Sequence, residues 1–165
     1  MEALKKIDIE ELLKRQEMLD EKFDEKETIR KRSDVRVRIA YITELGELAQ
    51  ELKSEWNYWK NSTKEIDKRK VLEELSDLLH FYLSHLNTEK RYLRYETTWV
   101  YQEIELFDLE KALYELITPS TSLLEKTFAA MLYIAEYVGS NEEEFLQVHH
   151  EKWLKNMGER TKEEY

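Results

Sequence analysis

Two pairs of acids define the chemistry this chain could do. Glu44 and Glu47 stand three residues apart, and so do Glu74 and Asp77. On a helix that spacing puts both carboxylates on one face, a turn apart. Four such groups on two facing helices offer the all-oxygen donor set that Mg²⁺ takes in near-octahedral geometry. A cation held there could activate water and neutralise a polyphosphate. The chain carries 36 Asp and Glu among 165 residues, so acid pairs at this spacing also arise by chance. Most acidic helix faces are simply solvated.

The neighbours of the two pairs add weight. Between them lies Glu55-Trp56-Asn57-Tyr58-Trp59-Lys60. Trp56 and Trp59 could continue an apolar core stripe. They could equally form a surface on which a base stacks, with Lys60 beside it for phosphate. Phe81 follows Asp77 by four residues, and an aromatic continuing an acidic stripe implies that this side faces protein or ligand. Glu73, His80 and Ser84 adjoin the same side; a single helical histidine is more often structural than a ligand. Gln16 falls on or beside an apolar helix face. A buried glutamine needs partners for both ends of its amide, from backbone or from the edge of a base.

Helices must position these residues. The chain has one proline, three glycines and 38% charged residues, laid over apolar periodicity near 3.6, which predicts an all-α fold. A first helix is expected from about Ile7 to Glu25. A second, capped by Ser33 or Asp34, is expected to run to about Lys60, with Val35, Ile39, Ile42, Leu45, Ala49, Leu52, Trp56 and Trp59 as its apolar stripe. Gly46 inside it suggests close approach of another backbone or a ligand. A third is expected from about Lys64 to Asn87, capped by Ser62 or Thr63, with Val71, Leu72, Leu75, Leu78, Leu79, Tyr82, Leu83 and Leu86 apolar. Another spans Trp99 to Ile117 and stops at Pro119. The next opens at Thr121 or Ser122 with Glu125 in a capping box, and ends at Gly139. Asn141 caps a last helix, Glu142 to about Met157. The architecture is a bundle of about five to six helices.

The length suits one domain over 1–165, long enough for a core without staples. With no cysteine, disulfides, thiol catalysis and zinc–thiolate sites are excluded. A formal charge of −10 argues against a general nucleic-acid binder. No apolar run approaches a bilayer span and no leader is visible, so no membrane role and a cytoplasmic setting are expected.

Glu44-Leu45-Gly46-Glu47-Leu48-Ala49-Gln50-Glu51, then Trp56-Asn57-Tyr58-Trp59-Lys60, then Leu72 to Ser84 with Glu74, Asp77, His80 and Phe81, resemble in order and spacing the dimeric all-α dUTPases of bacteria and phages. That family lies within the wider MazG-like all-α NTP pyrophosphatases. Gln16-Glu17-Met18-Leu19-Asp20 is similar to its first-helix pattern. The match covers residues 12–87. The resemblance implies hydrolysis of dUTP to dUMP and pyrophosphate, with dUDP as a second candidate substrate, and Mg²⁺ bound by Glu44, Glu47, Glu74 and Asp77. Glu47 is then the first candidate for the base that takes a proton from water, with Glu44 beside it. It implies Trp56 and Trp59 against the base, Gln16 at the uracil edge, and His80 and Phe81 near the sugar. Lys60, Lys152, Asn156 and Arg160 would meet phosphate. The tail departs from the family: Asn156 to Arg160 is one residue longer, and Glu164 before Tyr165 stands where glycine is expected.

A related pyrophosphatase of other or broader nucleotide preference remains open, as does a non-enzymatic helical interaction protein. A homodimer is expected. The apolar faces exceed what these helices can pair among themselves, and the resembling family completes its sites across a two-fold axis.

Overall fold

The computed structural model describes residues 1–61 and 64–160, with 91, 159 and 160 by backbone alone. Every regular element among them is helical: α1 (Ile9–Glu25), α2 (Asp34–Glu51), α3 (Lys53–Trp56), α4 (Lys68–Thr88), α5 (Thr98–Ile104), α6 (Leu109–Ile117), α7 (Leu124–Tyr137) and α8 (Glu142–Lys155). A 3₁₀ turn (Lys90–Tyr92) follows α4, and a π turn (Asn156–Arg160) follows α8. None of the described helices is long and apolar enough to cross a membrane. Short polar side chains start five of them. Asp8, Ser33, Asp67, Asp108 and Asn141 each accept a backbone N–H three residues on, which satisfies a donor the helix leaves over.

Helix α4 is the axis of the fold. It packs against α1, α2 and α8 and touches α7, while α5 and α6 pack on α7. Its Val71, Leu72, Leu75, Leu78, Leu79, Tyr82, Leu83 and Leu86 are all fully buried. Each such leucine contributes about 1.5–3 kcal/mol relative to exposure. Along its middle turns only Glu73, Glu74, Asp77 and Phe81 are less than fully buried, and three of them form the stripe that faces the site. Tyr41 on α2 and Tyr82 on α4 donate their hydroxyls to the carbonyls of Leu116 and Ser120, which fixes both helices to the α6–α7 connection.

Several boundaries differ from expectation. Among the described residues eight α-helices replace five to six because two long helices are broken. Helix α2 stops at Glu51 rather than Lys60. The Asn57 side chain accepts the backbone N–H groups of Trp59 and Lys60 at 3.0 and 3.2 Å, a local alternative to helical bonding that ends α3. The span Trp99 to Ile117 divides at residues 105–108, where Asp108 caps α6 with a 2.8 Å bond from Lys111 N–H. Helix α4 begins at Lys68, not Lys64, capped by Asp67; Ser62 and Thr63 lie outside the described residues. At α7 the expected capping box is absent. The Ser120 hydroxyl receives the Leu123 N–H at 2.8 Å, and buried Glu125 receives the N–H of Glu96 at 3.1 Å. Gly139 ends that helix as expected, at φ 84°.

The α2 stripe is the largest correction. Val35, Ile39 and Ile42 are 66%, 60% and 64% exposed, whereas Val37, Tyr41, Leu45, Leu48 and Leu52 are buried. Leu45 and Leu52 of the expected stripe are thus buried, and Trp56 packs against the core, but the first turns of α2 send Val37 and Tyr41 inward and leave an apolar face outside. Trp59 is also on the outside, 53% exposed. Among the described residues no neighbour comes within 4 Å of a Cβ added at Gly46, so no other backbone of this chain approaches closely there.

Candidate active site

Because α2 lies along α4, the two acid pairs meet. Oxygens of Glu44, Glu74 and Asp77 lie within 4.8 Å of one another, each side chain half-buried. Glu44 Oε2 and Glu74 Oε2 are buried and accept no hydrogen bond. Glu47 is more exposed and stands outside that group of three, with its carboxyl lying against those of Glu44 and Glu74.

The electrostatics follow from crowding. Glu44 is pushed up to about 7, first by burial, then by the charge of Asp77 and by Glu47 and Glu74. Glu74 is likewise pushed up to about 7, by burial and then by Glu47 and Asp77, with Lys152 opposing. Like charges this close disfavour joint ionisation. A hard divalent cation would remove that penalty and supply the partner that the two orphaned oxygens lack. The residues thus fit such an ion in donor type and in unmet bonding. Lys152 on α8 reaches into the cluster, its Nζ donating to Asp77 Oδ2 at 2.7 Å and to the Glu73 carbonyl at 3.4 Å.

Beside the carboxylates opens a cavity of about 430 Å³. Helix α4 contributes Asp77, His80, Phe81 and Ser84 to its lining, and α2 contributes Arg36, Val37 and Glu44. Helix α1 supplies Gln16, Leu19, Asp20 and Phe23, the following link Thr28, Arg30 and Arg32, and the C-terminal turn Asn156. Gln16 and Asp20 are 4% and 7% exposed. Gln16 Nε2 donates to Asp20 Oδ1 at 2.9 Å. His80 Nδ1 donates to the Ser76 carbonyl at 2.7 Å, and its ring lies 4.2 Å from that of His149. Burial, then the neighbouring His80, holds His149 well below the usual histidine range, so it is neutral. It pairs through Nδ1 with the Ser76 hydroxyl at 3.0 Å. The two rings stiffen the floor under the His80–Phe81 wall.

One cavity wall or its rim thus gathers Gln16, Glu44, Glu74, Asp77, His80, Phe81, Lys152 and Asn156. Trp56, Trp59 and Lys60 are not among the lining residues. Trp56 turns back to donate Nε1 to the Ala49 carbonyl at 2.8 Å. Trp59 sits edge-on to Tyr58 with Lys53 Nζ 5.6 Å above its ring, and Lys60 is exposed. The side chain of Arg160, with Glu164 and Tyr165, lies outside the described residues. Asp20, Ser84 and the arginines 30, 32 and 36 line the cavity, although the motif reading did not point to them as site residues. Two signals were available: Asp20 stands four residues after Gln16 on one helix face, and Arg30-Lys31-Arg32 is a basic run in an acidic chain.

A helical scaffold that converges acids beside a cavity with arginines on its wall suits a hydrolase of a small anionic substrate. The family model described as dUTPase matches residues 8–165. The chain belongs to the dUTPase family and is a dUTP diphosphatase-like hydrolase. No curated protein matches it. Membership extends the likeness read from residues 12–87 across the C-terminal half, and it removes the non-enzymatic reading.

Proposed function

We propose that this chain is an Mg²⁺-dependent pyrophosphohydrolase that converts dUTP to dUMP and pyrophosphate, as one domain working in a homodimer of the all-α NTP pyrophosphatase type. The observation that carries this is the meeting of Glu44, Glu74 and Asp77 oxygens within 4.8 Å, two of them orphaned, at the edge of a cavity large enough for a nucleoside. Glu44, Glu74 and Asp77 would hold the ion, with Glu47 completing the set. Bound there, Mg²⁺ supplies charge neutralisation for the phosphates and makes water more acidic.

The chain's own groups do the rest. Glu47, the most exposed of the four acids, accepts a proton from the attacking water. Lys152 exchanges Asp77 for a phosphate oxygen, and Asn156 and Arg160 add donors at the C-terminal end. Gln16 meets the base edge, while His80 and Phe81 hold the sugar side and exclude water. Trp56, Trp59 and Lys60 lie outside the cavity of their own chain, so their expected contacts with base and phosphate would be made across the dimer. The exposed Val35–Ile39–Ile42 face is the surface on which such a dimer would close. The test is pyrophosphate release from dUTP, dCTP, dTTP, UTP and dUDP, with and without Mg²⁺. Release from dUTP that requires Mg²⁺ is expected. Equal rates on all nucleotides would favour the broader-preference reading, and full activity in chelator would remove the metal.

A further inference from the structure

The Gln16–Asp20 pair decides more than packing. Both residues are more than nine-tenths buried and both line the cavity. A glutamine amide has a donor end and an acceptor end, and an ionised carboxylate only accepts. The 2.9 Å bond from Gln16 Nε2 to Asp20 Oδ1 therefore fixes which end is left over. It is Oε1, which is buried without a hydrogen-bond partner. The opposite orientation would set Oε1 against the Asp20 oxygen, acceptor to acceptor. The other oxygen of Asp20, Oδ2, is buried without a hydrogen-bond partner and is paired by charge with the link before α2. Arg32 lies 3.8 Å from Oδ2 and is anchored by a two-pronged bond to Asp24 at 2.7 and 3.1 Å. Burial, with the charge of Asp24, raises the Asp20 pKa, and the Gln16 amide, Ser84 and Arg32 oppose it.

We infer that Asp20 is a positioning residue that sets base specificity: by locking the Gln16 amide it makes the cavity wall a hydrogen-bond acceptor for the base. This deepens, and rests on, the proposed dUTP reading, in which Gln16 meets the base edge. Uracil carries N3–H, a donor, and satisfies the orphaned Oε1. Cytosine presents a bare N3 at the same place, and two lone pairs then face each other in a buried site. Thymine keeps N3–H, so this device separates uracil from cytosine and leaves thymine to steric exclusion elsewhere. A site built to pair with a polar substrate group rejects analogues lacking it by about 10⁴–10⁵-fold; one bond held indirectly through Asp20 is expected to supply about 10²-fold.

The experiment compares kcat/KM for dUTP, dCTP and dTTP in the full chain and in Asp20→Asn. The asparagine can accept from or donate to Gln16, so the amide is no longer locked. The expected result is a fall of at least about tenfold in the dUTP-to-dCTP ratio. It arises from a higher KM for dUTP and gained turnover of dCTP, with the dUTP-to-dTTP ratio unchanged. Gln16→Glu combined with Asp20→Asn returns a pure acceptor to the cavity and is expected to restore discrimination. A purely structural Asp20 would lower all three substrates together. Asp20→Ser is read in parallel, so that poor folding of one variant does not decide the outcome. An unchanged dUTP-to-dCTP ratio in a folded variant overturns the role of Asp20 while leaving the dUTP reading intact. A wild-type protein that ignores dUTP overturns that reading and this inference with it.

Discussion

Glu74→Gln separates the two things Glu74 does. The substitution keeps size and removes one charge from a crowded trio. A carboxyl moved from 4.5 to about 7 carries about 3 kcal/mol of penalty above pH 7 before solvent screening. Glu74 is partly open to solvent, so screening reduces this to about 1 kcal/mol. The sign follows from proton binding: a raised carboxyl pKa means the native state holds a proton the unfolded chain has lost. Metal-free stability then falls as pH rises from 4.5 through 7. At pH 8 without Mg²⁺ the variant is expected to melt about 2–4 °C above the wild type, while below pH 5 the difference closes. Buried neutral His149 imposes an opposite slope below pH 6.5, but it is common to both proteins and cancels in the comparison. With Mg²⁺ the order reverses, because only the wild type gains binding energy. Pyrophosphate release from dUTP is expected to disappear in the variant. Scanning fluorimetry at pH 8 and pH 5, with and without Mg²⁺, reads the stability changes. A variant that hydrolyses dUTP near the wild-type rate, or that melts below wild type in chelator, would refute the reasoning.

The same geometry sets three further outcomes. Ile39→Glu places a charge in the exposed apolar face of α2 and is expected to halve the mass seen by light scattering; a wild type that is monomeric while active removes the dimer. Trp59→Ala is expected to cost under about 1 kcal/mol of stability, since a half-exposed ring leaves little cavity. The same change should weaken a non-hydrolysable dUTP analogue by roughly 1–3 kcal/mol; a large melting shift with unchanged affinity would make the ring structural. Lys152→Met removes the 2.7 Å partner of Asp77, so magnesium affinity by calorimetry should hold or rise while KM for dUTP increases severalfold; a loss of magnesium binding would show that the lysine instead builds the metal site.

The sequence alone determined the helical class, the polar caps at Ser33 and Asn141, the stop at Gly139 and the apolar part of the buried face of α4. Those features are local or periodic: a capping side chain bonds three residues on, and an apolar stripe shows on one helix whatever it packs against. It also located the acid pairs, because i, i+3 spacing is itself a spatial statement on a helix. Tertiary structure decided which face of α2 turns inward. Val35, Ile39 and Ile42 lead into Leu45 with a helical spacing that Val37 and Tyr41 share, and only contact with α4 selects the second approach. It decided that Asn57 ends the helix and carries the tryptophans away from the cavity, since packing of the downstream residues selects whether such a side chain caps a helix or continues it. It decided, finally, which acids converge and that Asp20 locks Gln16. Neither the distance between two helices nor the free end of an amide is written in the spacing along one.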